Sequence, residues 1–192
     1  MSKLKLVVLG STRGSNMQAI IDAIASSKLN ASIELVISNR KNAYILERAA
    51  NNNILNKFIS AKDRTRIEYD LELISEIQKY SPDIVLLIGF MRILSPDFVD
   101  AFKGKVLNIH PSLLPRHAGL MDLAVHQSVI DSGDNQSGCT IHQVSEKVDG
   151  GDIMLQISCQ VAANDNAEDL KEKVQALESE AWVEVIKNWR KT

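Results

Sequence analysis

Between Leu4 and His110 the sequence repeats one pattern, a short apolar run followed by a longer amphipathic stretch. Apolar runs of this length fit strands buried on both faces, and the amphipathic stretches fit crossover helices. The repetition therefore specifies a parallel sheet packed between helices. LKLVVLG (Leu4 to Gly10) is the first strand, and the helix after it, Asn16 to Ala25, places Met17, Ile20, Ile21 and Ile24 on one face. SIELVIS (Ser32 to Ser38) and an Ala-rich helix from Asn42 to about Asn52 form a second unit. A third helix, near Ile67 to Tyr80, carries Leu71, Leu73, Ile74 and Ile77 and is stopped by Ser81-Pro82. DIVLLIG (Asp83 to Gly89) and KVLNIH (Lys105 to His110) are the next strands, with a short helix between them starting near Ser95 and Pro96.

Beyond His110 the texture changes. A loop from Pro111 to Gly119 leads to a helix near Leu123 to Ile130, then to alternating runs CTIHQV (Cys139 to Val144) and IMLQISCQV (Ile153 to Val161). These runs are expected to add antiparallel or mixed strands at the sheet edge. A long helix, about Ala167 to Trp189, closes the chain with a stripe of Leu170, Val174, Leu177, Trp182, Val185 and Ile186. The expected fold class is α/β: a Rossmann-like, mostly parallel sheet with helices on both faces, antiparallel strands in the C-terminal part and a long C-terminal helix. No repeat, low-complexity tract or linker interrupts it, so one domain is expected over residues 1–192.

Charge narrows function by exclusion. Lys and Arg total 22 against 24 Asp and Glu, a net charge of −2, which offers no footprint for nucleic acid or an anionic membrane. An anionic ligand has to be held locally. Two cysteines, Cys139 and Cys159, are too few for a disulfide framework or a zinc cluster and read as small strand residues. The run Leu4 to Leu9 is too short for a signal-peptide core, so the expected compartment is a reducing cytoplasm.

Three segments carry candidate chemistry. GSTRGSN (Gly10 to Asn16) lies between a strand and a helix, where backbone N–H groups and the helix dipole form an anion site. It lacks the Lys of a P-loop and the third glycine of a dinucleotide fingerprint, and a plain tight turn with Ser15 as N-cap is an equal reading. Asn108 and His110 share one face at the carboxyl end of a strand, where open α/β sheets bind ligands. Donation to an oxyanion and movement of a proton stand there beside the simpler reading of a satisfied polar pair. HPSLLP (His110 to Pro115) brackets the next loop with prolines, and VDGGD (Val148 to Asp152) puts Asp149 before two glycines that permit a sharp turn.

SxxGSN after the first strand, FMRIL (Phe90 to Leu94), NIHPSLLP (Asn108 to Pro115), SGCTIH (Ser137 to His142) and VDGG (Val148 to Gly151) share an order and spacing. In both, the chain resembles the glycinamide ribonucleotide formyltransferases of the folate-dependent formyl-transfer fold. The resemblance spans nearly the whole chain. It implies transfer of the formyl group of 10-formyltetrahydrofolate to the amine of glycinamide ribonucleotide, in de novo purine biosynthesis. Attack is direct, through a tetrahedral intermediate, with no covalent enzyme intermediate. By the same resemblance Asn108 and His110 bind the developing oxyanion, and Asp149 holds a water and tunes His110. Gly14, Ser15 and Asn16 take the substrate phosphate, and Glu178 lies near the ribose. Arg66, Met91, Arg92, Ile93, Leu94 and Asn108 form the folate side, although Met91, Ile93 and Leu94 also read as ordinary core. No metal and no nucleic-acid or membrane partner is implied, and a monomer or homodimer is expected.

The chain departs from the family pattern at Thr12, where a glycine is usual, and at His117-Ala118-Gly119-Leu120, where an aromatic-Pro-Gly-Leu is usual. The segment Met121 to Val125 is longer than its shortest counterpart, and Asp152 replaces a common proline. His126 falls where many members have a histidine. His142 is expected to be a hydrogen-bonded strand residue and His117 a solvated loop residue; no spacing among the histidines matches a metal-ligand set. Formyl transfer to another amine, hydrolysis of the formyl-folate and non-catalytic nucleotide binding are the alternatives. The last leaves NIHPSLLP and VDGG unexplained. The members that act on initiator tRNA usually carry a further domain.

Overall fold

The computed structural model describes residues 2–189. Within them β1 (Leu4–Leu9), β2 (Ala31–Ser38), β3 (Asn56–Phe58), β4 (Ile84–Leu87), β5 (Val106–His110), β6 (Gln136–Gln143) and β7 (Ile153–Gln160) form one sheet. Its order is β3-β2-β1-β4-β5-β6-β7. The first five strands are mutually parallel, while β6 runs antiparallel to β5 and β7 antiparallel to β6. The helices are α1 (Ser15–Ala25), α2 (Tyr44–Asn51), α3 (Arg66–Gln78), α4 (Pro96–Ala101), α5 (Leu123–Asp131) and α6 (Ala167–Asn188). This is the expected fold class. Strand β3 was not anticipated: its NKF sequence carries no apolar run, and it exists through pairing with Val36, Ile37 and Ser38.

Alternation along the central strands feeds two separate apolar layers. Leu6 and Val8 of β1 join Leu86 of β4 and Leu107 of β5 under α1 and α6, with Met17, Ile20, Trp182 and Ile186 packed on them. Val7 and Leu9 face the other way, joining Val85 and Val106 under Tyr69, Leu73 and Ile77 of α3 and Phe98 of α4. Each large side chain fully buried in these layers contributes about 1.5–3 kcal/mol. Helix starts follow local chemistry: Thr65 and Glu68 form a capping box on α3, Ser95 caps α4 before Pro96, and Asn166 with Asp169 does the same for α6. Among the described residues no helix is long and apolar enough to cross a membrane.

The loop after β5 is stiff, and for more reasons than its prolines. Leu114 N–H donates to Thr140 Oγ1 at 3.0 Å, Thr140 Oγ1 donates to the Ser112 carbonyl at 2.7 Å, and Gln156 Nε2 donates to the Leu114 carbonyl at 2.9 Å. The Leu114–Pro115 peptide is cis. After β6, the Gln143 N–H bonds to the Asp152 carbonyl, and a Cβ on Gly151 would lie 1.8 Å from the Gln143 oxygen. Only glycine permits that return, which brings Asp149 back beside β5.

His126 of α5 is 2 % exposed, and among the described residues its Nδ1 has no hydrogen-bond partner. Burial first, then the nearby Lys171 charge, push its ring down to about 4 from an ordinary 6.5. The unfolded chain therefore takes up this proton at a higher pH than the folded one, so the stability tied to a neutral His126 is complete above pH 6.5 and lost toward pH 4. The loss amounts to about 3 kcal/mol. In urea titrations at the two pH values, His126→Leu is expected to lose less stability on acidification than the parent by about that amount; equal losses would overturn the assignment.

Candidate active site

The carboxyl ends of β1, β4 and β5 open into one cleft of about 1010 Å³. On its first side β1 turns into α1 at Gly14, whose φ of 68° is the left-handed conformation that glycine adopts without strain. A Cβ there would also meet Ile45 Cγ1 at 2.5 Å. Gly14, and not Ser15, is the N-cap of α1, and no side chain caps the helix. The first-turn N–H groups are thus left to whatever occupies the cleft. Asn16 Nδ2 donates to Glu178 Oε2 at 2.8 Å while its Oδ1 accepts from Ser179 Oγ at 3.0 Å, tying the start of α1 to α6. Burial, opposed by the Asn16 bond, raises the Glu178 carboxyl above its ordinary range. Buried Ser11 donates to Asn39 Oδ1 and accepts from Met91 N–H at 2.9 Å, so the β1 turn and the segment after β4 are held as one wall.

At the end of β5, Asn108 and His110 point the same way, and the antiparallel register sets His142 of β6 directly opposite Asn108. His142 Nδ1 donates to the Gln143 carbonyl at 2.9 Å, which leaves Nε2 of the neutral ring to accept from Asn108 Nδ2 at 3.2 Å. This bond orients the amide, and its second N–H remains for the cleft. Asp149 Oδ2 lies 3.3 Å from His110 Nδ1 and accepts from Gly119 N–H at 2.9 Å; Oδ1 lies 3.5 Å from His142 Nε2. Asp149 adopts φ 52° to reach them. Burial pushes the Asp149 carboxyl up, but His142, the Gly119 N–H and His110 outweigh it, the two rings acting when they carry a second proton, and leave it below the usual carboxylate range. For His110, burial is the largest effect and lowers the ring, against the pull of Asp149 and of the His117 carbonyl. His110 Nε2 faces that carbonyl at 3.0 Å, so in the neutral ring Nε2 carries the hydrogen and Nδ1 is the free base.

The third side of the cleft mixes apolar and cationic groups. Met91 and Ile93 are 38% and 59% exposed, so the core reading fails for them; Leu94, 7% exposed against Phe98, is core and cleft wall together. Arg66 begins α3, and the Arg92 guanidinium sits 4.8 Å above the Tyr69 ring. Arg66, Arg92 and all the other residues expected at the site line this one cleft.

Three features escaped the sequence. His142 is a member of the cluster and not merely a bonded strand residue, a fact hidden until the β5–β6 register is known. His117 is not solvated: its side chain is 8% exposed, bonded to Asp134 and Ser128. Lys171, paired with Asp122 at 2.9 Å, and Gln175 of α6 also face the cleft. Among the described residues no group of three or more His, Cys, Asp or Glu is placed to hold a metal ion.

Sheet and cleft define an α/β enzyme architecture whose crevice lies outside the carboxyl ends of its strands. Within it, the chain belongs to the formyl transferase family, whose model matches residues 4–186. It is 43% identical over 184 residues to the phosphoribosylglycinamide formyltransferase of Escherichia coli, covering 95% of this chain and 85% of the relative. It is also 40% identical over 177 residues to the human trifunctional purine biosynthetic protein adenosine-3, covering 92% of this chain and 17% of that longer protein. Among solved structures, phosphoribosylglycinamide formyltransferase from Coxiella burnetii superimposes with a TM-score of 0.91 at 37% identity, covering 97% of this chain and 86% of that one. The enzyme from Streptococcus pneumoniae gives 0.86 at 30% identity, covering 97% and 98%.

Gly14→Ala places a side chain in the left-handed region and against Ile45. It is expected to lower the unfolding free energy by about 2 kcal/mol or more. Urea denaturation checks this, and unchanged stability would refute the claim that Gly14 is required by backbone and packing together.

Proposed function

We propose that this chain transfers the formyl group of 10-formyltetrahydrofolate to the primary amine of glycinamide ribonucleotide, as the phosphoribosylglycinamide formyltransferase step of purine biosynthesis in the cytoplasm. The observation that carries the reading is the convergence of Asn108, His110 and Asp149 at the mouth of the cleft in a chain of this family. Both cysteines are unpaired, in keeping with a reducing compartment.

The substrate phosphate is read onto the N–H groups of Gly14, Ser15 and Asn16, with Glu178 near the ribose. The helix end supplies positive potential at that point in a chain of net charge −2. The folate fits the opposite wall in kind: Met91, Ile93 and Leu94 offer apolar surface, and Arg66 and Arg92 offer cations for an anionic tail. When bound it supplies an electrophilic formyl carbon. The free N–H of Asn108 then donates to the oxygen that gains charge during attack, a contribution of about 3–4 kcal/mol for a preorganised donor. His110 Nδ1 accepts the proton leaving the amine, and Asp149, 3.3 Å away, stabilises the imidazolium so formed. Collapse of the tetrahedral intermediate breaks the bond between the formyl carbon and N10 of the folate, which leaves as tetrahydrofolate with the proton returned from His110. Proton movement of this kind is worth about 100- to 10,000-fold.

Steady-state turnover of the ribonucleotide with 10-formyltetrahydrofolate is the direct test, with other amines as competitors; folded protein inert toward both substrates would overturn the proposal. The lowered His110 ring stays unprotonated below its ordinary 6.5, so kcat/KM is expected to hold at neutral pH and fall only on the acid side of that value. Asp149→Asn removes a contact that raises the ring, so the acid limb should move to lower pH while the rate drops about 100-fold. A variant within tenfold of the parent rate would remove Asp149 from the mechanism.

A further inference from the structure

The remaining ordered polar cluster near the cleft lies behind His110, in the loop from Pro111 to Gly119 and the end of α5. His117 adopts φ 58° and its ring is gripped on both edges: Nδ1 meets Ser128 Oγ at 2.8 Å and Nε2 meets Asp134 Oδ2 at 2.9 Å. Asp134 accepts only, so Nε2 carries a hydrogen, and in the neutral ring Nδ1 accepts from the Ser128 hydroxyl. Asp134 is itself fixed. Its N–H bonds to the Val129 carbonyl at the end of α5, its side chain is 9% exposed, and Arg116 pairs with its other oxygen. The clamped residue offers its main-chain carbonyl to His110 Nε2, and two residues on, Gly119 N–H bonds to Asp149. One short piece of backbone therefore holds both the imidazole and the carboxylate.

We propose that His117 is a positioning residue for the reaction, its ring locked by Asp134 and Ser128 so that its carbonyl fixes His110 in the tautomer with the hydrogen on Nε2 and the base on Nδ1. The proposal rests on the reading of His110 as the proton-accepting group. It differs from a packing role in what it controls. A carbonyl at Nε2 selects which nitrogen is free, and a ring released from it can turn or exchange tautomers, leaving Nδ1 unable to accept the amine proton. The side chains that surround the His110 ring and bear on its protonation are Asp149, His142, His117 and His126, and of these only Asp149 is anionic.

The test compares His117→Ala, Asp134→Ala and Asp134→Asn. The two alanine variants are expected to lose about tenfold in kcat with KM for both substrates within about twofold. Their acid limb should shift to lower pH, because the carbonyl that favours protonated His110 is no longer held. Asp134→Asn, which keeps an acceptor for His117 Nε2–H, should retain most of the parent rate, and the double alanine variant should be no slower than either single one. Parent-like kcat and pH profile in folded alanine variants would overturn the proposal, as would a tenfold rise in KM at unchanged kcat. Should the alanine variants not fold, nitrogen NMR of the His110 ring in the parent protein decides. The Nε2–H tautomer is expected, and an Nδ1–H tautomer refutes the clamp. His110→Ala separates the two levels: parent-like turnover there would strike down the catalytic reading, whatever the tautomer measurement gives.

Discussion

The antiparallel pairing of β6 with β5 is the constraint on which the rest of the site depends. It sets His142 across from Asn108 and Thr140 across from His110, so one register decides two separate supports. His142 orients the Asn108 amide. Thr140 bonds twice to the loop that follows His110, and Gln156 of β7, its cross-strand partner, donates to the Leu114 carbonyl of the same loop. The turn leaving β6 then returns Asp149 to the histidines. A slip of one residue would turn His142 and Thr140 to the opposite face and dissolve the cluster while leaving the parallel part of the sheet intact.

Electrostatics around that register are lopsided. His110 and His142 share one carboxylate, Asp149, and His126 stands behind them without an acceptor for Nδ1. Burial therefore dominates, and it keeps His110 below its ordinary value despite the adjacent carboxylate. This suits a base that has to be free of its proton at neutral pH and yet accept one during reaction, since Asp149 stabilises only the charged form. The phosphate side follows a different logic, in which the backbone dipoles at the start of α1 face the cleft.

What the sequence made legible follows from the range of each signal. Strands β1, β4 and β5 are apolar on both faces and announce themselves, as does the stripe of α6. The short β3 has no such signal because a neighbouring strand alone defines it. Asn108, His110 and Asp149 were singled out through local motifs, and the resemblance put Glu178 near the ribose; it bonds Asn16 of the loop, 162 residues earlier. His142 was undervalued because its partner lies 34 residues away across a register that periodicity does not specify. His117 was misjudged because a histidine near a proline in a loop has the composition of a solvated turn. Its burial arises from Asp134, 17 residues on, and no local pattern connects them.

Backbone strain distinguishes the walls of the cleft from one another. His117, Asp122 and Asp149 all hold positive φ angles of 58°, 51° and 52°, sparsely populated backbone that costs about 1–3 kcal/mol per residue outside glycine. Such residues persist where surrounding contacts over-determine them. Asp149 accepts from a backbone N–H, and its side chain, 8% exposed, is enclosed beside the His110 and His142 rings. His117 is held by Ser128 and the paired Asp134. Among the described residues Asp122 pairs with Lys171 alone, and its side chain is 69% exposed, where a pair contributes about 0–1 kcal/mol. That does not offset its backbone cost. The strain is therefore opposed by buried contacts at the two residues touching His110 and left nearly unopposed at Asp122. The strained backbone opposed by buried contacts lies beside His110, and Leu120 and Met121, 38% and 63% exposed, lead to Asp122 along the cleft wall.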